Sequence, residues 1–182
     1  MMQTMQKILY VILFFAVVFI LIYVFGQDYL PFQIRYGTEQ QTVRGESMEP
    51  VLMDGQEIAI DETYYQENAI QKGDIATIVF SWREEPLVKF IRAVPGDTIA
   101  LNQSGLVYHI LVNGEAALNS EGEPYSLTYA KSRMIDLYIQ EYSGIIPDDM
   151  YLVLGNQTGG TQDSTQFGLV DLENISGKVV SE

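Results

Sequence analysis

Leu87-Val88-Lys89-Phe90-Ile91-Arg92-Ala93-Val94-Pro95-Gly96-Asp97 sets a lysine inside an apolar run that a Pro-Gly turn ends. β-Branched and aromatic side chains at this density suit a strand, and Pro95 cannot continue a hydrogen-bond ladder. Runs of the same kind recur at Glu57 to Ile60, Ile75 to Phe80, Val107 to Val112 and Tyr151 to Leu154, separated by Gly, Pro, Asn and Asp. Asn113-Gly114, directly after one of them, predicts a hairpin turn because both residues tolerate positive φ. Helical periodicity is hard to find in this region, with Lys131 to Tyr142 the one ambiguous stretch. The expected fold class is therefore mainly β, with no fixed-period repeat and no Pro- or Ser-rich linker to divide it.

Upstream the chain changes character. Ile8 to Phe25, ILYVILFFAVVFILIYVF, runs for 18 residues without a charge. As a helix it would be roughly 27 Å long, near the hydrocarbon thickness of a bilayer. Tyr10 and Tyr23 lie near its ends, where amphipathic rings favour the interface. The alternative is a cleaved signal peptide, but the following GQDYLPF offers no small-x-small cleavage site. The expectation is a single N-terminal transmembrane helix that stays on as a signal anchor. Lys7 and the amino terminus precede it and Asp28 follows, which puts the N-terminus in the cytoplasm and residues 27–182 outside a cell membrane crossed once. The expected organisation is 1–26 as cytoplasmic N-terminus and anchor, 27–42 as juxtamembrane tether, and 43–182 as an extracytoplasmic domain with a small β insertion at 98–150.

Composition narrows the chemistry. The 182 residues include 24 acids and ten Lys and Arg, and Lys7 is the sole charge before Gln27. Residues 27–182 thus set 24 acids against nine bases, a net charge of −15 where the whole chain has −14. Such a polyanion is repelled by phosphates, so no nucleic acid is expected as a partner. Without cysteine there is no disulfide, thiolate nucleophile or Cys-ligated metal. The one histidine, His109, alternates with apolar neighbours on an expected strand and fits a structural place better than a Ser-His-Asp triad. Glu84-Glu85 and Asp148-Asp149 suit solvated turns. Neither a metal nor a cofactor is expected.

Three segments carry possible chemistry. In Arg44-Gly45-Glu46-Ser47-Met48-Glu49-Pro50-Val51-Leu52 a serine sits between Gly and Pro, as in a tight, exposed turn. Gly45 allows close backbone approach, and neighbouring N–H groups could face an oxyanion; equally, the segment could be only a turn. Lys89, flanked by Val88 and Phe90, could be desolvated and lose its proton to become a base, or could snorkel to solvent. Tyr151 to Val170 is a strand followed by a polar Gly, Thr and Gln loop, either a source of orienting hydroxyls or a plain surface loop.

Taken together, the order and spacing of these segments resemble type I signal peptidases, the membrane-bound Ser/Lys endopeptidases that remove signal peptides. Gly45-Glu46-Ser47-Met48-Glu49-Pro50-Val51-Leu52 looks like the family's serine box, with Val51 in place of a threonine. Lys72-Gly73-Asp74-Ile75 is similar to its Gly-Asp box, and Val88-Lys89 with Pro95-Gly96-Asp97 to its lysine box. Val112-Asn113-Gly114, Glu123-Pro124-Tyr125 and Ile146-Pro147 agree as lesser landmarks. The resemblance runs from the anchor to about Val179 and is closest to compact Gram-positive forms. It implies a signal-peptidase-like β domain, with Ser47 as nucleophile and a neutral Lys89 as general base. It also implies Gly45 beside the oxyanion, the Thr161 hydroxyl on the lysine, and Asp163 in support. The implied substrates are signal-peptide-bearing precursors cut after small-x-small sites at the bilayer, without an obligate protein partner.

Two boxes depart from the family pattern. Phe90 follows Lys89 where an arginine is usual, and the next positive charge is Arg92. In Gly155-Asn156-Gln157-Thr158-Gly159-Gly160-Thr161-Gln162-Asp163-Ser164-Thr165-Gln166-Phe167-Gly168, Asn156 replaces an aspartate and Thr165 the arginine expected to pair with Asp163. Loss of that salt bridge implies a less firmly braced site. The alternative it leaves open is a catalytically weak or inactive relative acting as an assembly factor or chaperone for surface proteins, against which stands the retention of both Ser47 and Lys89.

Overall fold

The computed structural model describes residues 38–181 and, before them, Phe14 alone. The anchor and most of the tether lie outside the described residues, among which no helix is long and apolar enough to cross a membrane. From Glu39 the chain forms one compact unit.

Eleven strands are described: β1 (Thr38–Thr42), β2 (Glu57–Asp61), β3 (Ile75–Ile78), β4 (Leu87–Ala93), β5 (Ile99–Ser104), β6 (Val107–Val112), β7 (Glu115–Ala116), β8 (Ser126–Thr128), β9 (Met150–Leu154), β10 (Val170–Asp171) and β11 (Ile175–Ser181). Seven form a sheet in the order β1-β2-β11-β3-β4-β9-β10, and β5 to β8 form a second. Mainly β is therefore the observed class. All five runs read as strands are strands, within two residues at either end. Thr38–Thr42, expected to be the end of the tether, is β1 on the edge beside β2. The predicted hairpin turn is present, with φ of 53° at Asn113 and 82° at Gly114.

Lys89 stands near the middle of the large sheet. β4 pairs with β3 along Leu87 to Phe90, whereas β9 reaches it only from Phe90 onward. Leu87 to Lys89 thus have a strand partner on one side only. The Gly-Asp box fixes the far end of this hairpin: Gly73 N–H donates to Ile91 O and Ile91 N–H to Asp74 O, both at 2.8 Å. Asp74 also receives Lys178 Nζ at 2.7 Å, which ties β11 to the same corner.

Residues 98–150 hold more than strands. Tyr129–Glu141 is a helix, α2 (α1 is the single turn Tyr64–Glu67), opened by the Thr128 hydroxyl accepting from Lys131 N–H. Its pattern was ambiguous because only Ser132 and Ile135 of its thirteen residues are buried. Ile135 joins Ile99, Ile110, Val112, Tyr125, Leu127, Leu152 and Leu154 in one cluster, so β9 of the large sheet and the smaller sheet share a core. Removing the Leu152 side chain should leave a cavity there and cost about 2–5 kcal/mol. Leu152→Ala is expected to unfold at lower urea in a single transition, with tyrosine fluorescence and far-UV circular dichroism coinciding. Separate transitions would contradict the shared core.

Candidate active site

The serine turn is held from below by its apolar residues. Met48 and Leu52, both fully buried, pack with Val43, Ile58, Ile60, Val88 and Phe90. Glu49 N–H donates to Glu46 O and Leu52 N–H to Met48 O, which winds Glu46 to Leu52 into tight turns above that cluster. Ser47, only partly buried, is left at the surface of the turn. Gly45 takes φ 81°, a conformation that strains any residue with a Cβ, and its N–H donates to Asp54 Oδ1 at 2.7 Å. That N–H is committed, so of the groups expected to face an oxyanion the Ser47 N–H remains. Asp54 was not identified from sequence, where it is one acid among many.

Lys89 is 2% exposed, and its Nζ lies 2.6 Å from Ser47 Oγ and 2.9 Å from Val88 O. Burial pushes the amine down from 10.5 to about 8; the nearby Asp163 carboxylate opposes the shift and the Arg83 guanidinium adds to it. The lysine is therefore buried, as the strand reading required, and not snorkelling. An amine with a free lone pair can accept the Ser47 proton at this distance, and no imidazole need take part. His109 is elsewhere, on β6, its Nδ1 against Tyr125 O and Ser126 Oγ.

The C-terminal loop closes the site from the third side, and its departures from the family pattern prove structural. Asp163 is fully buried and accepts five bonds: from Gly155 N–H, Thr161 N–H and Oγ1–H, and Thr165 N–H and Oγ1–H, at 2.6–3.0 Å. Thr165 thus serves the carboxylate with two neutral donors where an arginine was expected, and the site is braced after all. The Thr161 hydroxyl donates to Asp163 Oδ2 and not to Lys89, whose two bonds are those to Ser47 and Val88. This corrects the contact implied by the resemblance; Thr161 reaches the amine only through Asp163.

Asn156 also gains a role. Its N–H donates to Ser47 O at 2.7 Å, Nδ2 donates to Glu49 O and Ser120 Oγ, and Oδ1 accepts from Ser120 N–H. An aspartate could keep the contacts with Ser120 by accepting from its hydroxyl and N–H, but it would lose the donation to Glu49 O and turn an oxygen toward that carbonyl. Gly155 lets this loop come close, since a Cβ there would stand 2.4 Å from Thr161 Oγ1 and 2.7 Å from Ser47 O. Behind it, Arg92 Nε donates to Tyr125 Oη at 3.3 Å, and that hydroxyl donates to Gly155 O. The Arg92 guanidinium lies 4.0 Å from the centre of the Phe90 ring, a cation–π contact. Among the described residues no group of three acids or histidines is arranged to hold a metal ion.

A groove of about 530 Å³ opens beside Ser47 and Lys89, lined by Thr42 to Met48 and by Arg83 and Glu85 to Val88. Asn156→Asp, which sets acceptor against acceptor at Glu49 O, should lower stability by about 2 kcal/mol. It should also loosen the serine turn. Urea unfolding at pH 8 checks this, and a variant as stable as wild type would remove Asn156 as a clamp.

Comparison with known proteins finds relatives along nearly the whole chain. The family model for signal peptidase, peptidase S26, matches residues 5–181. A signal peptidase IB of Staphylococcus aureus (strain COL) is 29% identical over 185 residues, covering 96% of this chain and 88% of that protein. Signal peptidase I P of Bacillus subtilis subsp. natto is 28% identical over 144 residues, covering 76% of this chain and 73% of its own. A crystal structure of a signal peptidase I from Enterococcus faecalis V583 is similar at 21% identity with a TM-score of 0.41, covering 62% of this chain and 98% of that one. With a family match that spans nearly every residue, the chain belongs to the signal peptidase, peptidase S26 family, whose members are serine endopeptidases.

Proposed function

We propose that this chain removes signal peptides from exported precursors, with Ser47 as nucleophile and Lys89 as general base. The observation that carries the reading is the buried amine 2.6 Å from the serine hydroxyl. In the reaction the lone pair of Lys89 takes the Ser47 proton as Oγ bonds to the scissile carbonyl carbon. The resulting ammonium returns the proton to the departing amine, leaving an acyl-enzyme, and the free base then activates water for its hydrolysis. The Ser47 N–H is the donor we assign to the oxyanion. Thr161 holds the Asp163 carboxylate, and that carboxylate favours the ammonium formed when Lys89 takes the proton.

The unpaired side of β4 from Leu87 to Lys89 supports recognition of an extended segment added as a strand, with alternate side chains directed into the groove. Small side chains at the first and third positions before the cut suit such shallow pockets. The apolar stretch Ile8 to Phe25 supports residence in the cell membrane as a single-pass anchor with the catalytic domain outside, where precursors emerge. The lipid bilayer is then the one standing partner apart from the substrates.

Purified full-length chain in detergent should cut a precursor after a small-x-small site, while Ser47→Ala and Lys89→Met should lose at least a thousandfold in kcat/KM. Cleavage that survives Lys89→Met would remove the lysine as the base. The sign of the pH effect follows from the lowered amine. Only its neutral form is active, so kcat/KM should climb about tenfold per pH unit up to about 8 and level off above it. Stability moves with the same group. Between pH 8 and 10.5 the unfolded chain holds the Lys89 proton and the folded chain does not, so stability rises with pH across that window. Below it the buried ammonium is a cost. Lys89→Met should therefore be inactive yet more stable than wild type at pH 7, by roughly 1–3 kcal/mol in urea unfolding.

A further inference from the structure

One cation in the groove has no part in the reaction just described. Arg83 lies in the turn between β3 and β4, half-buried, and lines the groove with Ser47, Val88, Lys89 and Gln162. Its Nε donates to Glu85 O at 2.8 Å and its Nη1 to Gln162 Oε1 at 2.9 Å. The first bond closes the turn on itself. The second crosses to the loop in which Gln162 stands between Thr161 and Asp163. No carboxylate lies within ion-pair distance of Arg83 among the described residues, and the side chain of Glu85 is taken by Arg44. The guanidinium is thus fixed at both ends by neutral oxygens and keeps its full charge.

We propose that Arg83 is a positioning residue for the reaction, joining the two loops that flank Lys89 and holding an unpaired positive charge toward its amine. This inference rests on the peptidase reading above. A guanidinium stays protonated throughout the working pH range, so it repels the ammonium form of Lys89 and leaves the neutral amine untouched. The other groups facing that amine are Asp163 from the C-terminal loop, which favours the ammonium, the Ser47 hydroxyl, and Val88 O on its own strand. Glu39, Arg44, Glu46, Glu62 and Glu85 line the same groove, with Arg44 and Glu85 paired to each other. Burial is the largest cause of the lowered amine, and Arg83 works in the same direction. Where the family pattern sets an arginine against the aspartate, this chain has Thr165 there and sets Arg83 by the amine.

The test is the pH dependence of kcat/KM from pH 6 to 10 for the full-length chain in detergent on one precursor. Wild type is compared with Arg83→Gln, Arg83→Lys and Gln162→Glu. Removing the charge, or placing a carboxylate beside it at exposed Gln162, should move the apparent pKa of the rising limb about 0.5–1 pH unit to the alkaline side. Arg83→Lys keeps the charge and should stay within about 0.3 pH unit of wild type, whatever it loses in rate. At 1 M salt the gap between wild type and Arg83→Gln should shrink. Coincident rising limbs for wild type and Arg83→Gln would overturn the proposal, as would Arg83→Lys shifting as far as Arg83→Gln. If wild type cuts, Ser47→Ala and Lys89→Met do not, and the limbs coincide, this inference alone fails. If wild type does not cut, both it and the peptidase reading fail.

Discussion

A primary amine taken out of water beside a hydroxyl is the constraint on which the rest of this structure depends. Burial of an ammonium is costly, and proteins commonly answer by letting it shed its proton. Val88 and Phe90 alternate with Lys89 along β4 and pack with Met48, Leu52 and Ile58 under the serine turn, while Leu87 and Ile91, on the lysine's own face of the strand, are buried with Ala76 and Ile78. Both faces of β4 are thus covered, one by the cluster that seats the serine turn and the other by apolar residues on the side of Lys89. Asp163 works against the effect of burial, since its charge favours the ammonium. The balance leaves the amine lowered to about 8.

The way Asp163 is held shows that a buried carboxylate needs donors more than it needs a countercharge. Three backbone N–H groups and two threonine hydroxyls surround it. A salt bridge in the same place would bring a second desolvated charge, whose burial can offset its Coulomb gain. Neutral donors add no net charge, so the carboxylate keeps its full field at the lysine. The exchange at Asn156 follows the same logic, because its amide can donate and accept at once while it spans Ser47, Glu49 and Ser120.

The parts of this arrangement that were legible in the sequence are those with local or periodic causes. Lys89 within an apolar strand, the Asn113-Gly114 turn and the β class follow from side-chain type and spacing, and the serine and lysine boxes could be matched in order. What the sequence hid depends on partners far along the chain. Thr165 reads as a lost salt bridge until its two bonds to Asp163 are seen, and Asn156 as a lost charge until Ser120 is found beside it. Arg83 and Gln162 are 79 residues apart and carry no motif. β1 escaped notice because an edge strand half open to water need not alternate, and Thr38–Thr42 is polar throughout. Helix α2 escaped in part because only two of its thirteen residues are buried.

The stretch of β4 that lacks a partner strand bears on the life of the protein between substrates. An unpaired strand rim with apolar residues is a template on which any extended chain can add, including another copy of the same molecule. Leu87 to Lys89 cannot be blunted by charge without spoiling the groove, so protection has to come from the flank. Glu84, Glu85 and Pro86 stand immediately before it: the exposed Glu84 carboxylate repels a like-charged copy, Glu85 is paired with Arg44, and the Pro86 imide cannot donate to a ladder. The net negative charge of residues 27–182 works in the same direction, since two copies of the domain repel each other as a whole.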